Sequence, residues 1–308
     1  MRALVVTNMY PTPARPELGS FVRDQVEALR RIDGVEVELF TFEPGGAAAY
    51  LKAAAALRRR HRHANFDVVH AHFGLTAWPA FAAGARAHAV TLHGTDLVHP
   101  RSRAITTTAL PFLDLVATVS EPLATLVPDW AVRKHRRAVL PAGVDAKRFR
   151  PVPRAEARAA LNLEPTGRYV LFPADPARPE KRYQLARVAA GDTELLTLGG
   201  VDPARVPFYV NAANAVLVPS HRESFGLAVL EALACDVPVL ATPVGIAPEA
   251  LSGIEGTLCA PFDEQSWRAA LAPHLASEDP RITGRARAER WSSDRMAAAV
   301  VEAWRALP

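Results

Sequence analysis

At 308 residues the chain has room for one large or two medium domains, each with its own core. Its apolar fraction of 49% is ordinary for a soluble enzyme, and no apolar run approaches the roughly 20 residues a membrane span needs. The net charge of +4 is unevenly placed: residues 1–150 hold 20 Lys and Arg against 13 Asp and Glu, a net of +7, and residues 151–308 hold 16 against 19, a net of −3. A basic first half suits an anionic partner, such as a membrane surface, a lipid phosphate or a phosphorylated acceptor. A coding bias toward arginine is the plain alternative. Two cysteines, Cys235 and Cys259, make no disulfide framework and imply a reducing, cytoplasmic setting.

The apolar start, residues 3–6, is too short for a signal peptide and reads as a first strand. In the first half, strands are expected at 3–7, 35–40, 68–71, 89–92, 115–119 and 138–140. In the second half they are expected at 169–172, 194–198, 215–218, 237–241 and 257–259. Short buried strands alternating with helical patterns imply parallel sheets. Two such series imply an α/β protein of two Rossmann-like domains facing across a cleft. One domain spans 1–152 and the other 153–292, with Pro151 and Pro153 marking the linker. Ligands in such sheets bind beyond the carboxyl ends of the strands, so the residues after each strand are the informative ones.

After the first strand, Gly19 and Ser20 stand at the start of a helix carrying Val22, Val26 and Leu29 on one face. Ser20 reads as an N-terminal cap. Residues 51–63 read as a helix ending in a basic cluster, Arg58-Arg59-Arg60-His61-Arg62-His63. A solvated helix end explains it, and contact with an anionic membrane is the functional alternative. His70-Ala71-His72 ends a strand with both imidazoles on one face. No second ligand cluster accompanies it, which argues against a metal. His93-Gly94-Thr95-Asp96 ends the next strand, where His93 is placed to hydrogen-bond a hydroxyl and Asp96 to cap a helix. Gly143-Val144-Asp145 reads as turn chemistry.

In the second half, Arg178, Lys181 and Arg182 follow the strand at 169–172, and Gly199-Gly200 follows the next. The richest stretch is 215–235. A buried strand ends at Pro219-Ser220, Glu223-Ser224-Phe225-Gly226 forms a loop, and a helix begins near Gly226 with Glu231 in its second turn. Backbone amides at Phe225, Gly226 and Leu227 lie at the helix start, which suits a phosphate, and Gly226 permits close approach. Carboxylates repel phosphate, so Glu223 and Glu231 more naturally accept hydrogen bonds from hydroxyls. Amides for phosphate and carboxylates for hydroxyls describe a sugar-nucleotide site. Residues 279–291, rich in arginine, read as a solvated helix and connector. The last helix, 295–304, has an apolar stripe ending in Trp304.

The ordered set Pro219-Ser220, Glu223-Ser224-Phe225-Gly226, Glu231-Ala232, Pro238-Val239-Leu240-Ala241-Thr242, Val244-Gly245 and Pro248-Glu249 resembles the Glu-x7-Glu region of retaining glycosyltransferases of family 4, which have the GT-B fold. His93-Gly94-Thr95-Asp96 and Ser120-Glu121 resemble that family too. The resemblance covers nearly the whole chain, which is short for the family around 186–192 and near Arg285. It implies that Glu231 grips the nucleotide ribose and that Glu223, Ser224 and the backbone of Phe225, Gly226 and Leu227 hold the sugar. It implies that His93 and Glu223 are the catalytic pair and that Gly19 lies beside the diphosphate. Lys181 matches the family's phosphate-binding lysine. The family's Gly-Arg is replaced by Pro173-Ala174, which leaves Arg178 as the substitute and Arg182 in reserve. In the family the last helix, 293–308, packs back on the first domain. The expected activity is metal-independent transfer of a sugar from a UDP, GDP or ADP sugar to a glycan, lipid-linked or small-molecule acceptor. No cofactor and no nucleic acid are expected. A nucleotide-sugar epimerase of the same architecture, or a catalytically silent scaffold, stands as the alternative.

Overall fold

The computed structural model describes residues 1–132 and 136–307. The chain forms two compact units. The first comprises residues 1–13, 18–143 and everything from Ser293 on; the second comprises 14–17 and 144–292.

The first unit is built on a parallel sheet of six strands: β1 (Arg2–Thr7), β2 (Glu36–Thr41), β3 (Phe66–His72), β4 (Ala85–Leu92), β5 (Leu115–Thr118) and β6 (Arg137–Val139), in the order β2-β1-β3-β4-β5-β6. Ala3, Leu4, Val5 and Val6 are all fully buried, because β1 lies inside the sheet with helices on both faces. That is why its apolar run is continuous rather than alternating. β4 begins four residues before the apolar stretch at 89–92, because its polar leading residues pair along β3 as far as Phe66 opposite Ala85.

The helix Ser293–Arg305 belongs to this unit. Met296, Ala297, Val300, Val301 and Trp304 form its buried stripe, at three- and four-residue spacing, against Ala3, Val68, Ala89, Leu115 and Ala117 of the sheet. Ser20 does not cap the helix Ser20–Leu29; it is the first helical residue, and Gly19 holds the cap position in left-handed geometry.

The second unit carries five parallel strands: β7 (Tyr169–Phe172), β8 (Glu194–Thr197), β9 (Ala215–Val218), β10 (Val239–Ala241) and β11 (Leu258–Cys259), in the order β11-β10-β9-β7-β8. Val170, Phe172, Ala215, Leu217 and Leu240 pack with Trp267 and Leu271 of the helix Glu264–Ala276. Its main stretch starts at Val144, earlier than the Pro151-Pro153 signal, because the connecting segment is bonded into it. Val144 N–H donates to Trp291 O at 2.8 Å and Val152 N–H to Asn211 Oδ1 at 2.9 Å.

The arginine-rich segment 279–291 is not a solvated connector. Arg281 donates to the carbonyls of Val152 and Cys235, and Arg285 to those of Ala146, Phe149 and Ala234. These carbonyls lie at the end of the helix Leu227–Ala234 and along the irregular segment 146–152, where backbone acceptors lack regular partners. A guanidinium offers five donors and serves several at once. The sequence shows the arginines but not the carbonyls they answer.

Both sheets have a point where the chain reverses its direction of growth: β1 and β3 in the first, β7 and β9 in the second. Loops leaving neighbouring strands there diverge to opposite faces and open a crevice.

Candidate functional site

In the second unit, the loops after β7 and β9 meet at this reversal point. His221 N–H donates to Glu180 O at 2.8 Å and fastens one loop to the other. The short turn Pro179–Lys181 then presents Lys181, whose Nζ lies 2.7 Å from both carboxylate oxygens of Glu223. Ser220 Oγ donates to Glu223 Oε1 at 2.6 Å. Ser220 is itself fixed, because Thr242 Oγ1 at the end of β10 donates to its carbonyl at 2.5 Å. The Glu223 and Lys181 side chains are only 11% and 16% exposed. A carboxylate so enclosed is tolerable because a cation and a hydroxyl satisfy it.

The loop then turns through Ser224 and buried Phe225 to Gly226, at φ +103°, and the helix Leu227–Ala234 begins. Gly245 lies across it in left-handed geometry. A Cβ there would stand 2.3 Å from Phe225 O and 2.9 Å from Glu223 Cβ, so only glycine permits this approach. Ile246 N–H donates to Phe225 O at 2.7 Å. The first amides of the helix have no acceptor within it and carry its positive dipole end. Glu231, half-buried, sits in its second turn.

Arg178 is exposed, and its Nε and Nη2 both donate to Glu180 Oε1, at 2.9 and 2.6 Å. Its guanidinium is therefore turned to Glu180 and not to the Lys181–Glu223 pair. Arg182 adopts left-handed geometry at φ +58°. The glycine turn after β8 lies close by: Leu198 N–H donates to Ala174 O, and Asp175 Oδ1 would stand 3.3 Å from a Cβ at Gly199.

In the first unit, the reversal point gathers Gly19, His70, His72 and His93. Gly19 has φ +65°, and a Cβ there would stand 2.2 Å from Met9 O, so the loop after β1, folding back on its own start, fixes glycine at this place whatever it binds. His70 and His72 are fully buried and stacked, centroids 5.1 Å apart and planes at 11°. His72 Nδ1 lies 3.0 Å from His93 Nε2, and Phe21 packs 4.9 Å from the His93 ring. Trp304 Nε1–H donates to His70 Nδ1 at 2.8 Å, and His70 Nε2 lies 2.8 Å from Thr91 Oγ1. Burial lowers the pKa of all three histidines, that of His72 to about 4.

Asp96 is fully buried and holds the His93 loop by its backbone. Its carboxylate accepts the amides of His93, Gly94 and Gly74. Burial raises its pKa against the opposing effect of those amides. Its role is thus an anchor for the loop rather than a simple cap. Among the described residues no group of three His, Cys, Asp or Glu side chains could hold a metal ion.

Lys181, Glu223, Ser220 and Thr242 all stand out in the sequence, but the contacts that join them do not. The contact of Lys181 with Glu223 depends on β7 neighbouring β9, which no local pattern states. Equally hidden in the sequence are the contact of His72 with His93 and that of Trp304 with His70. The alternation of His70 and His72, with His93 two residues beyond Thr91 on the paired strand, was the available clue.

Residues 175–291 match the family model described as Glycosyl transferases group 1, and residues 18–148 match Glycosyltransferase Family 4. A D-inositol 3-phosphate glycosyltransferase of Actinosynnema mirum is 31% identical over 75% of this chain and 70% of its own length. One from Geodermatophilus obscurus is 27% identical over 85% and 71%. Among solved structures, the sucrose-phosphate synthase of Thermosynechococcus elongatus superposes with a TM-score of 0.75 at 20% identity, covering 99% of this chain and 98% of that one. The Anabaena protein HepE, solved in complex with UDP and glucose, gives 0.71 at 17% identity over 99% and 100%.

Proposed function

For a chain that belongs to family 4 of the GT-B glycosyltransferases, we propose retaining, metal-independent transfer of a sugar from a nucleotide-sugar donor to an acceptor hydroxyl. The observation that carries this reading is the Lys181–Glu223–Ser220 cluster beside the amide-rich start of the helix Leu227–Ala234. Lys181 Nζ has three N–H donors, and its two contacts with Glu223 leave one for a diphosphate oxygen. Glu223 accepts sugar hydroxyls, Glu231 takes the ribose, and the amides of Phe225, Gly226 and Leu227 receive the phosphate charge. Within the first unit, His93 is the group offered to a sugar hydroxyl, and Gly19 is the position offered to a phosphate. Cationic and dipolar groups stabilise the leaving diphosphate, and the donor phosphate itself serves as the base for the incoming hydroxyl.

The donor is of the UDP type, on the likeness to HepE, whose structures hold UDP, glucose and UDP-glucose. The relatives' name makes D-inositol 3-phosphate the first acceptor to try, ahead of glycan and lipid-linked acceptors. The exposed Arg58, Arg59 and Arg60 would place the first unit on an anionic cytoplasmic membrane face.

A thermal-shift panel of UDP, GDP, ADP and their sugars, with and without EDTA, tests the donor. A ligand at 100 times its Kd should stabilise the protein by about 2.7 kcal/mol. UDP compounds should do so regardless of EDTA. No shift from any nucleotide, or a shift abolished by EDTA, would overturn the reading. Product anomers read by NMR then decide retention.

A further inference from the structure

We infer that His72 is a positioning residue that holds His93 in the tautomer with its proton on Nδ1. His93 then presents an N–H donor, not a base, outside the fold. This rests on the placement of His93 at the sugar but is argued from the ring geometry alone.

The contact between His72 Nδ1 and His93 Nε2, at 3.0 Å, needs one proton between two ring nitrogens. Each neutral imidazole carries a single N–H. Two arrangements satisfy this. In the first, His72 Nδ1–H donates to His93 Nε2. The His93 proton then sits on Nδ1, and His72 Nε2 is a bare lone pair. In the second, His93 Nε2–H donates to His72 Nδ1. The His72 proton then sits on Nε2, and His93 Nδ1 is a bare lone pair available as a base.

The two differ in what is buried at His72 Nε2. This atom is inaccessible and has no hydrogen-bond partner among the described residues. The second arrangement would bury an N–H donor without an acceptor, which native structures avoid more strictly than an unfilled acceptor. The first arrangement is therefore the stable one. His93 Nε2 is thereby consumed inside the fold, which leaves Nδ1 as the nitrogen a ligand can meet.

The surroundings hold this pair still. His70 stacks on His72, and its own tautomer is fixed from both ends. Trp304 has only an N–H to give, so His70 Nδ1 accepts, and the His70 proton on Nε2 goes to Thr91 Oγ1. Asp96 holds the His93 backbone. Among the described residues, the titratable side chains that act on the cluster are its own three rings, with Asp96 on the His93 backbone and the Phe21 and Trp304 rings packed at its ends. The depressed histidine pKa values fit neutral rings at neutral pH.

The test is imidazole 15N NMR on the full chain labelled at histidine, comparing wild type with His72→Asn and His72→Phe. A protonated ring nitrogen and a bare one have well-separated shifts. In the wild type, His93 is expected with Nδ1 protonated and Nε2 bare. His72→Asn, whose amide nitrogen can replace the Nδ1 donor, should keep that pattern. His72→Phe, which keeps a ring in the stack but has no donor, should release His93 to the Nε2–H form. A wild-type spectrum with His93 Nε2 protonated overturns the inference, and that reading stands even where a variant fails to fold. A His72→Phe protein whose His93 stays Nδ1-protonated overturns it too. His93→Ala separates the two layers. If it leaves sugar transfer unchanged, the functional placement of His93 fails while the tautomer assignment holds.

Discussion

Lys181 ties the loop after β7 to Glu223 in the loop after β9. Lys181→Ala would remove the cation from Glu223 and leave a carboxylate that is only 11% exposed with Ser220 alone. Donor turnover should then fall by about 100-fold or more, the scale seen when one charge-stabilising donor is removed. A steady-state assay of donor consumption checks it, and a catalytically silent scaffold would keep its partner binding unchanged. Gly19→Ala tests backbone rather than chemistry. Its φ of +65° and the Met9 carbonyl 2.2 Å from the new Cβ predict a loss of roughly 2–4 kcal/mol, read from denaturant unfolding. Glu223 and Lys181 could be singled out in the sequence because residues that follow a strand are recognised locally. The sequence hid what these side chains face. Arg178 shows the difference, since its position was legible and its engagement with Glu180 was not. Glu180 lies only two residues along, but nothing in the spelling says which carboxylate a guanidinium will choose.

At the scale of elements, strands were legible from apolar runs, and β7 and β9 have the expected bounds. The run 279–291 was misread because charge alone does not distinguish a solvated helix from one whose arginines bind backbone carbonyls. Arg285→Ala removes donors from three carbonyls and should cost the second unit about 2–4 kcal/mol, measurable as a drop in Tm. The histidine cluster joins β3, β4 and the helix Ser293–Arg305, and it makes the first unit acid-sensitive. Unfolded histidine binds a proton near pH 6.5, whereas buried His72 does so only near 4. Between those values the unfolded chain holds more protons, so stability falls as pH falls, by about 1.4 kcal/mol per pH unit for His72 alone. The stability advantage of wild type over His72→Phe should therefore shrink from pH 6.5 toward pH 4 and stay level above pH 6.5, as followed by urea unfolding at each pH.

For the molecule as a whole, two Rossmann-like units were legible because strand and helix patterns alternate in two long series. Their borders were less so, since Pro151 and Pro153 mark a bend in the chain while the hydrogen bonds of Val144 and Val152 mark the real start of the second unit's main stretch. The placement of the helix Ser293–Arg305 on the first sheet has a consequence for synthesis. A ribosome delivers all six strands of the first sheet by Val139, yet the stripe of Met296, Val300, Val301 and Trp304 that covers Ala3, Val68 and Leu115 emerges only after the entire second unit. The portion translated first is thus sealed last. During that interval its bare apolar face is the part of the nascent chain a chaperone would hold, and a stop codon just before Ser293 should yield a polypeptide that binds ANS and is degraded, although every strand of both sheets is present.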